Sequence, residues 1–187
     1  MSGKVDPRIL RTRKLIMDAF IELATKKDFK DITIKDIASV ATVNRATFYD
    51  HFLDKYDLLE KVLAEKIMTQ VVAEVRGHDQ LTEQTIQAIF LSLVQFLTNL
   101  ASQCRRSYET FSPMIEATMK KQLEQTFHGL MRKQWPHQSD ETLRVGAVMF
   151  SWALYGAVMD WMKTRNGPPE EYMKQAIYFV QNGLRFS

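Results

Sequence analysis

Arg45, Thr47 and Tyr49 are the residues whose types and spacing best suit binding chemistry in this chain. An arginine fork can read guanine, a threonine can contact a thymine methyl group or a phosphate, and a tyrosine hydroxyl can donate to a phosphate. Together with Ala46 they would form the outer face of a short helix. These side chains therefore predict contact with duplex DNA, although the same residue types also suit a helix face that is merely solvated.

Residues 34–52 can present this face, because their pattern is that of two short helices joined by a turn. Thr33 is a suitable cap for the first helix, Ile34–Val40, and Asn44 for the second, Arg45–Asp50. In a helix-turn-helix, the second helix enters the major groove with its N-terminal residues at the base edges. The positions expected to be buried between the two helices are Ile34, Ile37, Ala38, Val43 and Phe48.

Helical periodicity continues through the rest of the chain, and no strand pattern interrupts it. The chain has only 7 glycines and 5 prolines, whereas good helix formers are plentiful. We therefore expect an all-α protein of about nine helices. Besides the two short ones, the helices are expected at Pro7–Lys27, from Asp54 to about Arg76, after Thr82, over Arg105–Thr110, from Ser112 to about Gln134, from Ser139 to about Thr164, and over Pro169–Asn182.

The composition is that of a soluble globular protein, with 45% apolar and 25% charged residues. The single cysteine, Cys104, excludes an intrachain disulfide and fits a reducing cytoplasm. The longest apolar stretch, Val145–Met159, falls short of the ~20 residues that span a bilayer. The N-terminus is polar and basic, unlike a signal peptide. We therefore expect a cytoplasmic location and no membrane partner.

Enzymatic functions find little support in the sequence. The histidines lack metal-ligand spacing such as H-E-x-x-H, and neither a glycine-rich phosphate loop nor a G-x-S-x-G elbow occurs. Cys104 lies beside Arg105 and Arg106 and could be a redox-sensing thiol, but a buried inert cysteine is more common. We therefore expect no enzyme, no metal and no cofactor.

Several residues at fixed spacing combine buried with exposed positions, namely Ile37-Ala38, Val43 to Tyr49, His51-Phe52, Lys55 and Leu58-Leu59. Through these residues the sequence from about Arg11 to Leu63 resembles the TetR (AcrR-like) family of transcriptional regulators. The family commonly has a glycine in the turn where this chain has Thr42. It commonly has a serine cap where this chain has Asn44, which can do the same capping job.

The resemblance implies a three-helix DNA-binding domain at residues 1–53. A helical ligand-binding and dimerisation domain would follow at 54–187, with 54–76 as the connecting helix. It also implies a homodimer that binds a palindromic double-stranded DNA operator and responds to a small-molecule effector, most often as a repressor. Carried over by position, Thr33 and Lys55 contact phosphates, whereas His51 is explained equally well by local packing. The whole DNA-binding set is Thr33, Asn44, Arg45, Ala46, Thr47, Tyr49, His51 and Lys55.

The dimer interface implied by the resemblance lies on the last two long helices. The first of them is apolar on more faces than one intrachain contact needs, and its small residues would let helix backbones approach closely. A core wholly within one chain is the alternative. The predicted interface residues are Gly146, Phe150, Ala153, Gly156, Ala157 and Tyr178.

An effector pocket is predicted among the aromatic and methionine side chains between Thr82 and Trp135. The same side chains could simply form the core, and Glu116 could be a solvated carboxylate rather than the partner of a cationic ligand. The pocket set is Phe90, Tyr108, Phe111, Met114, Glu116, Met119 and Phe127.

Two classes of function are compatible with the sequence. One is a ligand-responsive DNA-binding regulator. The other is a helical small-molecule-binding or interaction protein that has the same architecture without operator binding. Arg45, Thr47, Tyr49 and Lys55 together favour the regulator.

Overall fold

The computed structural model describes residues 6–71, 73, 80–105 and 107–182, and the regular secondary structure in these ranges is helical throughout. The all-α prediction is therefore confirmed. In chain order the helices are α1 Pro7–Lys26, a 3-10 turn Phe29–Asp31, α2 Ile34–Val40, α3 Arg45–Tyr49, α4 Lys55–Gln70, α5 Glu83–Gln103, α6 Tyr108–Gln134, α7 Asp140–Thr164 and α8 Pro169–Asn182.

Helix starts lie where the sequence predicts them, because side-chain caps bind the first free amides. The Asp6 carboxylate accepts from the Arg8 amide at 2.9 Å, and Ser139 Oγ accepts from the Thr142 amide at 3.1 Å. Asp54 does the same at the start of α4. The predicted end of α4 near Arg76 lies outside the described residues.

The start of α6 differs from the prediction. We expected a short helix over residues 105–110 and a new one from Ser112, because proline lacks an N–H donor and usually begins a helix. Instead one helix runs through Pro113. Phe111 and Ile115, on either side of the proline, are each 2% exposed. Their burial outweighs the single backbone hydrogen bond that the proline removes.

The chain divides into two compact units, and the first is not contiguous in sequence. This first unit comprises Met1–Leu63 and Leu100–Ile115, and the second comprises Ala64–Asn99 and Glu116–Ser187. Helices α4, α5 and α6 therefore each have residues in both units. The predicted boundary after residue 53 falls inside the first unit.

Phe29, in the 3-10 turn, is the centre of an aromatic cluster in the first unit. It is 2% exposed and anchors the connection between α1 and α2. Its ring meets those of Phe20, Tyr56 and Phe111 edge to face, with centroids 6.1, 5.1 and 5.0 Å away. The start of α6 thus packs, through Phe111, directly on the connection that leads into α2.

The second unit contains α7 and most of α5, two helices with the length and mean hydropathy of a membrane span. This property is weak support for a membrane helix, because the core helices of soluble proteins share it. In α5, Ile89, Phe90 and Leu93 are completely buried within the protein. We therefore interpret α5 as a core helix.

Candidate nucleic-acid interface

The turn between α2 and α3 is a Schellman motif with a threonine in the position that glycine usually occupies. The Val43 amide donates to the Ala38 carbonyl at 3.0 Å, and the Thr42 amide to the Ser39 carbonyl at 3.2 Å. Thr42 has a φ of +57°, in the left-handed region. The turn thus has the left-handed geometry that glycine favours, and it is formed by a β-branched residue under backbone strain.

Thr42→Gly is therefore expected to raise the free energy of unfolding by about 0.5–1 kcal/mol. Relief of the left-handed strain contributes ~1–2 kcal/mol, and the freedom of glycine in the unfolded chain offsets ~0.5–1 kcal/mol of it. Thermal denaturation measures the change. Thr42→Ala, which keeps a Cβ in the same conformation, is the control and should gain less. A lower melting temperature for Thr42→Gly would contradict the strained turn.

Helix α3 is capped, anchored and open on its outer side. Asn44 Oδ1 accepts from the Thr47 amide at 2.7 Å, which confirms the predicted cap. Phe48 is completely buried and fixes the helix on its inner side. Arg45 is exposed and Tyr49 is 49% exposed. Ala46 is also exposed and Thr47 is half-buried, so the structure brings the predicted base-reading residues onto one short helix.

Thr33 starts α2 with a complete capping box. Its hydroxyl accepts from the Asp36 amide at 3.1 Å, and its own amide donates to Asp36 Oδ2 at 3.0 Å. The backbone and side-chain hydrogen bonds from Thr33 lower the pKa of the Asp36 carboxyl below its ordinary value. Thr33 is exposed beside this box, so its predicted phosphate contact stays a prediction.

Lys55 is occupied by partners that the sequence did not reveal. Its ammonium donates to the carbonyl oxygens of Phe29, Lys30 and Ile32 at 2.9, 3.2 and 2.9 Å. It also lies 4.6 Å from the centroid of the Phe29 ring. A phosphate contact of Lys55 stays a prediction, and it has to compete with these hydrogen bonds.

His51 and Asp54, which lie just beyond α3, both have local contacts, and a DNA contact of His51 stays a prediction. His51 is half-buried, with its ring centroid 6.3 Å from that of Phe52. Asp54 Oδ1 accepts from the amides of Tyr56 and Asp57 at 2.8 Å each, so this carboxylate is committed to the start of α4. Its charge is thereby partly compensated by helix amides beside the recognition helix.

Ser107 is a residue of the first unit that sequence reasoning missed. Its side chain is 1% exposed, and its Oγ accepts from the amide of Phe29 at 2.8 Å. Ser107 lies 78 residues from Phe29 in the chain. A lone serine between two helices carries no local signal of such a bond.

An exposed apolar stripe runs along α7 in the second unit. Val145, Met149 and Trp152 are 43%, 69% and 58% exposed, and Ala153 and Gly156 are exposed as well. Their spacing places them on one face of the helix. The predicted interface residues Ala153 and Gly156 thus lie on a face that the described residues leave exposed.

Gly146 and Phe150 lie off this stripe. A Cβ added at Gly146 would meet Met131 Sδ at 3.5 Å, and the Phe150 ring meets that of Phe127 edge to face at 4.8 Å. Both residues therefore face α6 of the same chain, and their part in a dimer stays a prediction.

A shallow groove of about 310 Å³ lies between α7 and α8, next to the stripe. Small and apolar residues line it, among them Ala153, Ala157, Ala176 and Phe179. Tyr178, also predicted at the interface, is 43% exposed and packs edge to face on Phe179. The surface of α7 and α8 thus combines a ridge and a groove.

The predicted effector-pocket residues are divided between the two units. Phe90, Met119 and Phe127 are completely buried in the second unit. Tyr108, Phe111 and Met114 belong to the first unit, where Phe111 packs on Phe29. Glu116 pairs with Lys120 through an i,i+4 ion pair of 2.5 Å. The pocket as a whole stays a prediction.

Residues 16–62 match the family model described as bacterial regulatory proteins, tetR family. Two relatives from Bacillus subtilis (strain 168) are similar over part of the chain. The uncharacterized HTH-type transcriptional regulator YxbF is 43% identical over 61 residues, which are 32% of this chain and 16% of that protein. The uncharacterized HTH-type transcriptional regulator YvkB is 39% identical over 54 residues, 29% of each. The matches thus span less than a third of either relative.

Solved structures resemble nearly the whole chain. A TetR transcriptional regulator from Streptococcus agalactiae 2603V gives a TM-score of 0.59 at 20% identity, covering 94% of this chain and 96% of that one. The regulator FadR from Bacillus subtilis, in complex with stearoyl-CoA, gives 0.57 at 15% identity, covering 92% and 99%. The chain therefore has the fold of TetR-family regulators, and the resemblance seen in its sequence is confirmed.

Proposed function

We propose that this chain, which carries a TetR-family helix-turn-helix on the fold of TetR-family regulators, is a ligand-responsive transcriptional repressor. It binds a palindromic DNA operator as a homodimer, and a small molecule releases it. The observation that carries the proposal is helix α3, whose outer residues Arg45, Ala46 and Tyr49 are exposed while Phe48 anchors the helix from within.

Helix α3 has the residues that a major groove requires. Arg45 stands at its first turn, where base edges come closest, and can make a bidentate contact to guanine. Tyr49 stands one turn later and can donate its hydroxyl to a phosphate. Thr33, at the start of α2, is a second candidate for a phosphate contact. The candidate phosphate contacts, Thr33 and Tyr49, thus lie at other positions of the motif than the candidate base contact, Arg45.

The proposal is tested by selecting DNA from a random duplex library and titrating the selected duplex against a scrambled one at several salt concentrations. We expect a palindromic site with half-site centres one helical turn apart, ~34–36 Å. A protein that binds small molecules but prefers no duplex over another would instead be a helical binding protein without an operator.

The exposed surface of α7 and α8 supports the homodimer. Two copies related by a two-fold axis would bring the same stripe and groove together. Trp152 is suited to be the central anchor, because the Lys120 ammonium lies 3.5 Å from its ring centroid and holds it by a cation–π contact. The side chain of Lys120 is only 14% exposed, and Glu116 balances its charge.

We propose that the effector binds in the second unit, among side chains that include Phe90, Met119 and Phe127. The FadR structure, which holds stearoyl-CoA, supports a ligand-binding helical region in this fold. Regulators of this family are generally not enzymes, and we propose no catalytic activity and a cytoplasmic location.

The signal from effector to DNA has a second route besides the predicted connecting helix α4. Helices α5 and α6 also run from one unit into the other, and segment 100–115 joins them. Within the first unit, Ser107 holds the amide of Phe29 and Phe111 holds its ring. A ligand that shifts α5 or α6 would move the connection between α1 and α2. A coupling of ~1–3 kcal/mol would suffice to change operator affinity 5–150-fold.

Ser107→Ala is expected to destabilise the protein by about 1–3 kcal/mol, because the buried amide of Phe29 loses its acceptor. The melting temperature should fall, and operator affinity should fall with it. Ser39→Ala, at an exposed position of α2, is the control and should change stability by less than about 0.5 kcal/mol. Equal melting temperatures for the two variants would show that the Ser107 bond stabilises nothing.

A further inference from the structure

The ammonium of Lys55 is bound by backbone oxygens from three sides. It donates to the carbonyls of Phe29, Lys30 and Ile32 at 2.9, 3.2 and 2.9 Å. A lysine ammonium has three N–H donors and no acceptor, so these bonds use its whole donor capacity. The Phe29 ring lies beneath it, with a centroid 4.6 Å from Nζ, and adds a cation–π contact.

These three carbonyls bracket the end of the connection between α1 and α2. The 3-10 turn ends at Asp31, and α2 begins at Ile34. Lys55 is the first residue of α4, just beyond α3. The bonds therefore join the two ends of the chain segment that contains the whole helix-turn-helix.

We propose that Lys55 is a positioning residue that holds the two ends of the helix-turn-helix together and thereby orients α3. This role, which rests on the DNA binding proposed above, differs from that of a phosphate contact. A bond to DNA would require Lys55 to give up at least one of three charge-assisted hydrogen bonds. If DNA contacts other residues of the motif, Lys55 retains all three hydrogen bonds.

Arginine distinguishes the two roles. A guanidinium keeps the positive charge and binds phosphate at least as well as an ammonium does. It is planar, so its donors cannot point to three carbonyls that converge on one atom. Lys55→Arg should therefore preserve a phosphate contact but lose the hydrogen bonds to the three carbonyls. Lys55→Met removes both the phosphate contact and the hydrogen bonds to the carbonyls, and it keeps most of the side-chain length.

We expect Lys55→Arg and Lys55→Met to lose operator affinity alike, about tenfold or more per half-site, the size expected of hydrogen bonds to a charged group. The ratio of operator to scrambled-DNA affinity should fall, because a misoriented α3 loses its base contacts. The slope of log affinity against log salt should match that of the parent. Lys163→Met, at an exposed lysine of α7, is the control and should behave like the parent.

A phosphate role would give another set of results. Lys55→Arg would bind like the parent, and Lys55→Met would reduce the salt slope by about 2 per dimer, since each lost phosphate contact contributes ~0.9. The selectivity ratio would stay unchanged. These outcomes would overturn the positioning role while leaving the proposed DNA-binding function intact.

If the variants fail to fold, a measurement on the unaltered protein tests the proposal instead. In ¹⁵N spectra of labelled lysine side chains, the Lys55 ammonium should exchange its protons slowly with water both in the free protein and on the selected operator. Protection that develops only when DNA is added would overturn the proposal. If no duplex is selected at all, the proposed function fails, and protection in the free protein still decides whether the three bonds exist.

Discussion

Gly156→Glu is expected to convert the proposed homodimer into monomers and to abolish the proposed operator binding. The isolated chain can accommodate the substitution, because a Cβ at Gly156 meets nothing within 4 Å and the position is exposed. In the dimer the new carboxylate would be buried without a partner on both sides of the two-fold axis. A buried charge without a partner costs about 3–5 kcal/mol. Two of them cost about 6–10 kcal/mol, which is comparable with the ~8 kcal/mol of binding free energy of a dimer with a micromolar dissociation constant.

Light scattering at micromolar concentration measures this change, and the parent should give about twice the chain mass of 21.8 kDa. Gly129→Glu is a matched control, since Gly129 is also an exposed helical glycine with open space at its Cβ but lies on α6. It should leave the dimer intact. A Gly156→Glu variant that stays dimeric would move the interface away from the α7 stripe, and a monomeric parent would refute the dimer itself.

Arg45→Ala is expected to cost about 1–3 kcal/mol of operator affinity per half-site, the worth of a good bidentate base contact. Over two half-sites the loss is about 2–6 kcal/mol, and selectivity should relax at one base pair of each half-site. Tyr49→Phe removes only a hydroxyl, so it should weaken binding to operator and scrambled DNA equally.

Titration of both variants against the two duplexes at several salt concentrations separates these outcomes. Arg144→Ala, which removes an exposed arginine paired with Glu141 on α7, is the control for loss of one positive charge. If Arg45→Ala and Tyr49→Phe both bind the operator as the parent does, then α3 is not the recognition element, and the proposed function loses its main support.

Local signals in the sequence were sufficient for most helix starts and for the recognition helix. The caps at Asp6, Asn44 and Ser139 bind amides two or three residues further along the chain. Such bonds depend on sequence neighbours, so spacing and residue type predict them. The inner side of α3 could be predicted equally well, because Phe48 is the one large side chain of this helix without a polar group.

Long-range partners could not be read in this way. Lys55 and Ser107 both bind the backbone of Phe29, at separations of 26 and 78 residues. A backbone carbonyl or amide exists at every position, so no residue type marks the one that is used. The uninterrupted course of α6 through Pro113 has the same origin, since it depends on burial of Phe111 and Ile115 rather than on local propensity.

The discontinuous first unit restricts how such a regulator can be recombined. A chimera that joined residues 1–63 of this chain to the remainder of a relative would separate Phe29 from Ser107 and Phe111. The graft would have to carry segment 100–115 as well, although that segment lies in the middle of the sequence. Gene fusions that exchange only the N-terminal portion should therefore be selected against, and substitutions at Phe29, Ser107 and Phe111 should co-vary among the descendants of this chain.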